Sequence, residues 1–225
     1  MTPTSIDSEF GYDTAGHDPY HYRFLPALRS LMRELAAQKE IEIFEIGCGN
    51  GSIANELAQD GYKIIGIDTS EQAVATGSAA YPQLKLHVGS VYSDLRAEYG
   101  TFPVVMSLEV IEHLVDPFLF CCRVYDLLEP GGVAVVSTPY HGYLKNLMLS
   151  VFDHWDVHLH TLKQPGWHIK FFSIKTLTQI LEEAGLKVER LIRFGRPIPW
   201  IATGMIAVAR KPLDPAPEGA TAARR

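Results

Sequence analysis

The chain has 225 residues, 47% of them hydrophobic and 20% charged, the make-up of an ordinary globular protein with one domain or one domain plus an appended segment. At this length a folded chain buries roughly two-thirds to three-quarters of its unfolded surface. A formal net charge of −6 gives no electrostatic case for gripping duplex nucleic acid through its phosphates, so a long nucleic acid is not an expected partner. The three cysteines, Cys48, Cys121 and Cys122, form neither a disulfide framework nor a metal-ligand spacing. Cys121 and Cys122 lie in an apolar helical stretch and read as buried thiols. The first residues, MTPTSIDSEFGYD, lack the basic start and apolar core of a secretory signal. No apolar run reaches the ~18 residues needed to span a bilayer. A cytoplasmic location is the expectation.

Residues 1–38 read as an N-terminal segment and helix, with an unusually aromatic stretch from Gly11 to Tyr22. Short runs rich in Ile, Val and Leu follow at 41–46, 63–67, 85–88, 104–108 and 133–137, with helical spacing at 53–59, 71–80 and 118–128 between them. Such alternation predicts a mostly parallel sheet covered by helices on both faces. Pro130-Gly131-Gly132 is a turn signal immediately before the fifth run. Residues 139–172 break the rhythm: they hold five of the nine histidines and two of the three tryptophans, with no clear strand. They read as an insertion lying over an active site in a domain spanning 39–211. Ser173 can cap a helix running to Ala184, with Gly185 placed to end it. Runs at 186–194 and 203–209 supply two more strands, the last antiparallel in a seven-stranded, Rossmann-like sheet. The tail 212–225 is rich in Pro and Ala and reads as disordered.

Glu45-Ile-Gly-Cys-Gly-Asn-Gly51 places a glycine loop between the first strand and the first helix of the sheet, where backbone can approach a ligand closely. A dinucleotide fingerprint wants its third glycine at position 52, where Ser52 stands; here it comes one residue early. Asp68 closes the second strand. A carboxylate there can accept from both ribose hydroxyls of an adenosine; it can also cap the helix beginning near Ser70.

These residues, with the Gly-Ser-Val-Tyr-Ser-Asp-Leu stretch at 89–95 and Leu128-Glu-Pro-Gly-Gly132, resemble the class I S-adenosylmethionine (SAM)-dependent methyltransferases over roughly 40–210. The resemblance implies that Gly47, Gly49 and Gly51 pass under the methionine and ribose of SAM, with Asp68 and Thr69 at the ribose. Ser90 and Val91 would flank the adenine, and Ser107 or Leu108 would line the floor. Glu45 stands where most members have Asp and keeps the charge. Ser90 stands where the family commonly has Asp, which weakens the implied bond to the adenine amino group. The aromatic N-terminal stretch resembles a lid over SAM, with Tyr12, His17 and Tyr20 as contacts.

After the fourth run comes Ser107-Leu-Glu-Val-Ile-Glu-His-Leu114, at the strand end that faces a ligand crevice in open α/β sheets. If this segment turns helically, Glu109, Glu112 and His113 share one face. That set suits Mg²⁺ or Mn²⁺, although acidic residues near a helix start are also favoured by its dipole alone. Glu109-Val-Ile-Glu112-His113 resembles the motif of the ubiquinone-pathway O-methyltransferases and that of the enzymes methylating the 3′-terminal 2′-hydroxyl of small RNAs. The second resemblance implies His168, in Trp167-His168-Ile-Lys-Phe-Phe, as a fourth metal ligand.

A hydroxyl acceptor must lose a proton, and histidine is the usual base near neutral pH. His141, His154, His158 and His160 are candidates, with His141 preferred because it directly follows the fifth strand; His113 is a second catalytic candidate. Trp155, Trp167, Phe152 and Tyr143 could wall an apolar acceptor pocket. The function expected is O-methylation of a small catechol- or diol-like molecule. Metal-free N- or C-methylation, an NAD-dependent oxidoreductase and a non-catalytic SAM-binding module are the rivals.

Overall fold

The computed structural model describes residues 14–16, 21–37, 41–155, 168–195 and 202–213. Seven strands form one sheet: β1 (Glu42–Ile46), β2 (Lys63–Asp68), β3 (Lys85–Val88), β4 (Phe102–Leu108), β5 (Leu128–Pro139), β6 (Lys187–Phe194) and β7 (Gly204–Arg210). Their order is β3-β2-β1-β4-β5-β7-β6. β1 to β5 pair in parallel, and β7 runs antiparallel to both β5 and β6. The expected Rossmann-like sheet, mostly parallel with an antiparallel last strand, is present.

The side-chain alternation of β1 divides the core. Phe44 and Ile46 pack on one face with Phe102, Phe120 of α5 (Pro117–Leu127) and Leu177 of α7 (Ile174–Glu183). Ile43 faces the other side, with Phe24 and Leu28 of α1 (His21–Ala36) and Leu57 of α2 (Ser52–Gln59). Burial on both faces explains why the central strands are nearly continuous apolar runs. Phe120 is fully buried beneath β4 and β5, and Phe120→Ala is expected to cost about 3–5 kcal/mol in urea unfolding. A loss below about 1 kcal/mol would mean that the α5 face is not packed as described.

The helix ends follow their local chemistry. Ser173 caps α7 and shares a reciprocal pair of bonds with Thr176, a capping arrangement, and Gly185 adopts φ 93° just beyond. α3 (Glu71–Ala80) is capped by Ser70, which accepts from the Ala73 N–H, rather than by Asp68. Cys121 and Cys122 are buried, as their apolar helix predicts.

Three elements depart from the sequence reading. Pro130-Gly131-Gly132 is not a turn before β5 but an irregularity inside it: β4 advances from Phe102 to Val104 while β5 advances from Leu128 to Val133. Gly131 takes φ 77° there, and its N–H donates to the Lys211 carbonyl (3.0 Å). A short helix, α4 (Leu95–Tyr99), precedes β4, capped by Asp94. The opening of the 139–172 segment folds as α6 (Tyr143–Val151), of which no residue is buried. Among the described residues, no helix is long and apolar enough to cross a membrane.

Candidate functional site

The sheet order reverses between β1 and β4, and in open α/β sheets the ligand crevice forms at such a switch point, beyond the carboxyl ends of the strands. The glycine loop after β1, Asp68 at the end of β2, the Glu109–His113 segment after β4 and His141 after β5 all sit at that end.

The loop is fixed by backbone bonds. The N–H groups of Gly47 and Cys48 donate to the Ile67 carbonyl (2.8 and 2.9 Å), and the Gly49 N–H donates to Asp68 Oδ2 (2.8 Å). Asp68 Oδ1 accepts from the Ser70 N–H (2.9 Å). Gly47, at φ 76°, lies against Val110, so a Cβ would collide with that side chain. Gly77 of α3 lies against the Asn50 carbonyl, which likewise leaves no room for a Cβ. Asn50 had no role in the sequence reading. Its Nδ2 donates to the carbonyls of Thr14 (2.8 Å) and Gly16 (3.0 Å), and Tyr81 Oη donates to the Ala15 carbonyl (2.6 Å). An N-terminal strap is thereby tied to the loop. Tyr12, His17 and Tyr20 lie outside the described residues.

Glu45 is almost wholly buried, and its Oε2 has no hydrogen-bond partner among the described residues. Burial, then the Asp68 charge, pushes its pKa from 4.5 to about 8. Ser107 Oγ donates to the Ile46 carbonyl (2.9 Å) and so ties β4 to β1; Leu108 and Val91 are buried, and Thr69 is exposed. Ser90 Oγ accepts from the Tyr92 N–H (3.2 Å).

The segment after β4 does not continue as an α-helix. Glu109 takes φ 57°, a conformation uncommon for a residue with a side chain and frequent at functional sites. Only Ile111–His113 form a single 3-10 turn. Glu109 is turned onto β5 instead, where Ser137 Oγ donates to its Oε1 (2.6 Å) and accepts from its N–H (3.0 Å). The helical face that would gather Glu109, Glu112 and His113 does not form. Ligand atoms of Glu112, His113 and His168 do converge, all within 4.8 Å of one another. Both imidazole Nε2 atoms stand 3.9 Å from Glu112 Oε1, with the two rings 4.9 Å apart and edge-on. The backbone sets this register: the Glu112 carbonyl accepts from the N–H groups of Ile169 (2.9 Å) and Lys170 (3.0 Å). Both carboxylate oxygens of Glu112 are buried and meet no described residue in strict hydrogen-bond geometry, although its own backbone and the Thr138 hydroxyl lie close enough to favour its ionised form. Burial, with the Glu109 charge adding to it, holds its pKa well above the usual carboxylate range.

His141 is buried apart from this cluster. Its Nδ1 is 3.3 Å from Asn146 Oδ1, its N–H donates to the Phe172 carbonyl (3.0 Å), and its ring meets Phe171 edge-on at 4.6 Å. The ring of Trp155 also approaches Phe171, at 6.3 Å, while Tyr143 and Phe152 are exposed rather than gathered into a pocket. His154 is exposed just past α6. His158, His160 and Trp167 lie outside the described residues. Ser137 and Asn146, which hold Glu109 and His141, carry no signal in the sequence beyond their places at a strand end and in a helix.

Comparison with known proteins agrees with this fold. A methyltransferase domain model matches residues 20–191. A probable S-adenosylmethionine-dependent methyltransferase of Mycolicibacterium smegmatis is 32% identical over 66% of this chain and 52% of its own length. A ubiquinone biosynthesis O-methyltransferase of Ruegeria pomeroyi is 31% identical over 71% of this chain and 66% of its own. The chain thus spans about half to two-thirds of the length of these relatives. Among solved structures, magnesium protoporphyrin IX methyltransferase from Synechocystis with bound SAH superposes with a TM-score of 0.63 at 15% identity, covering 83% of each chain. The [4+2]-cyclase SpnF superposes with a TM-score of 0.61 at 16% identity, covering 84% of this chain and 82% of its own. At such identities the likeness shows the fold, which hosts more than one chemistry. With the domain match spanning most of the sheet and the glycine loop seated at its switch point, the chain belongs to the class I SAM-dependent methyltransferases and resembles the ubiquinone-pathway O-methyltransferases among them.

Proposed function

We propose that the chain methylates an oxygen of a small molecule bearing neighbouring oxygens, a catechol or diol, with a divalent cation held by Glu112, His113 and His168. The observation that carries the cation is the convergence of the buried Glu112 carboxylate with the His113 and His168 imidazoles, their ligand atoms all within 4.8 Å of one another. A buried carboxylate costs several kcal/mol unless paired or metal-bound. One carboxylate with two imidazoles is a donor set for a borderline divalent ion such as Mn²⁺, Fe²⁺ or Zn²⁺ rather than for Mg²⁺, which prefers an all-oxygen shell. Glu109, tied to Ser137, adds charge beside the set without joining it.

The donor site fits SAM. The glycine loop lets backbone lie close to a ligand, and Asp68 already braces that loop through Gly49 while retaining lone pairs for ribose hydroxyls. When bound, SAM supplies a methyl group activated by its sulfonium, and the cation supplies Lewis acidity toward an acceptor oxygen. The residues of the chain align the partners and keep water out, which contributes several kcal/mol. His141 is the base in this reading. With Nδ1–H donating to Asn146 Oδ1, Nε2 is the nitrogen that takes the acceptor proton. The described parts of the 139–172 segment would face the acceptor, within a catalytic domain spanning 39–211. Three buried cysteines held as thiols suit a cytoplasmic location.

Two measurements test this reading. Calorimetry with Mn²⁺ is expected to find one site in the wild type and none in Glu112→Gln. Methylation across a catechol panel is expected to fall at least ~10-fold in EDTA and to return with Mn²⁺ more readily than with Mg²⁺. Absence of Mn²⁺ binding together with full activity in EDTA would sink the cation. Turnover confined to nitrogen or carbon nucleophiles would favour metal-free transfer instead.

A further inference from the structure

α6 is amphipathic the wrong way round. At 100° per residue, Tyr143, Leu144, Leu147, Met148 and Val151 fall on one arc of about 140°. That arc faces outward: Tyr143 is 83% exposed, Val151 66% and the adjoining Phe152 58%, while Leu144, Leu147 and Met148 are each exposed to nearly half. The inner side carries two polar anchors. Lys145 Nζ donates to the Tyr140 carbonyl (3.1 Å), and Asn146 meets His141. Leu149 is half-buried on that inner side, but no residue of the helix is fully buried, and five of its six apolar side chains face water.

We propose that this outward face of α6 is the interface of a homodimer, pairing with the same face of a second copy about a twofold axis. Six side chains at these exposures amount to roughly 700 Å² of apolar-residue surface, above the ~300–600 Å² of the largest patch on an ordinary monomer and near the ~800 Å² each partner contributes to a standard interface. An isologous contact needs a self-complementary patch, and the arc carries no charge of either sign. The net charge of −6 therefore lies outside the contact, where salt screens it. The same facts disfavour an anionic lipid surface. Helices that lie on membranes carry lysine or arginine on their polar side, and the one cation of α6, Lys145, is turned inward to a carbonyl. Pairing would also steady the helix whose inner side holds His141, which places the dimer contact one helix thickness from the crevice.

Sedimentation velocity and light scattering of the full chain test the proposal. The wild type is expected at twice the chain's mass at about 50 μM, where a standard interface is saturated. Leu147→Glu with Val151→Glu is expected to halve that mass with an unchanged circular dichroism spectrum, since neither side chain is buried. Lys175→Glu, on the exposed start of α7, is the charge control and is expected to stay dimeric. A monomeric wild type overturns the proposal, as does a dimer that survives the double substitution or is lost equally in the control. Co-sedimentation of a monomeric wild type with phosphatidylglycerol vesicles, abolished by the double substitution, would assign the face to lipid and overturn it too.

Discussion

Asp68→Ala is expected to weaken SAH binding about 100-fold by calorimetry. The carboxylate accepts from Gly49 with one oxygen and from Ser70 with the other, and hydrogen bonds to a charged group contribute about 1.5–3 kcal/mol each. Losing both loosens the Gly49 stretch of the loop and the start of α3 before any ligand contact is counted, while Gly47 and Cys48 stay bonded to the Ile67 carbonyl of β2. About 2.7 kcal/mol is a hundredfold in affinity. Asp68→Asn should fall between, at about 10-fold, since its amide keeps one acceptor and turns a donor toward an N–H that needs an acceptor. The thermal midpoint should drop in both variants, further in the alanine. If the alanine variant binds SAH within threefold of the wild type, that carboxylate does not hold the site together.

The ligand-free protein is expected to lose stability as pH rises from about 5 to about 8, and Glu45→Gln should remove a large part of that slope. Burial raises the folded pKa of Glu45 from 4.5 to about 8. In the unfolded chain the same carboxyl ionises near 4.5, so between the two values the unfolded state binds fewer protons and stability falls with increasing pH. The contribution is fully present below pH 4.5 and gone above about 8. At 1.36 kcal/mol per pH unit its ceiling is on the order of 4–5 kcal/mol. The amide introduced by Glu45→Gln would keep the shape, and Oε2 has no hydrogen bond among the described residues to lose. Glu112 shifts in the same direction, so part of the slope should remain in the variant. Urea unfolding at pH 5, 6.5 and 8 measures both; equal slopes in wild type and Glu45→Gln would show that Glu45 is ionised in the fold.

Period and punctuation made the sheet legible. β3 and α3 coincide with the runs at 85–88 and 71–80, because short apolar strands and a Ser70-Glu71 start leave few alternatives. Pro130-Gly131-Gly132 misled because a bulge and a turn ask for the same residues; only Lys211, some eighty residues on, decides between them. α6 is missing from the sequence reading although Tyr143, Leu144, Leu147, Met148 and Val151 recur at helical spacing; what the period could not convey is that this face looks outward. In the site, Glu112 and His113 needed only their neighbours in sequence, and the place of His168 came from resemblance. The left-handed turn at Glu109 depends on Ser137 of a neighbouring strand, and a local helical reading cannot contain it. The clamps from Asn50 and Tyr81 to residues 14–16 span 34 to 66 positions and leave no periodic trace.

The place of β7 bears on how the chain reaches its fold. Strands β1 to β5 can pair as they emerge, each joined to an earlier neighbour, but β6 has no partner among them. Gly204–Arg210 must arrive and insert between β5 and β6, pairing with both. Until then the apolar β5 stands with an open edge, the kind of edge that recruits other chains. During synthesis the protein is therefore most prone to aggregate while that last strand is still inside the ribosome, and a chain cut before Gly204 would be recovered in inclusion bodies rather than as a smaller soluble domain.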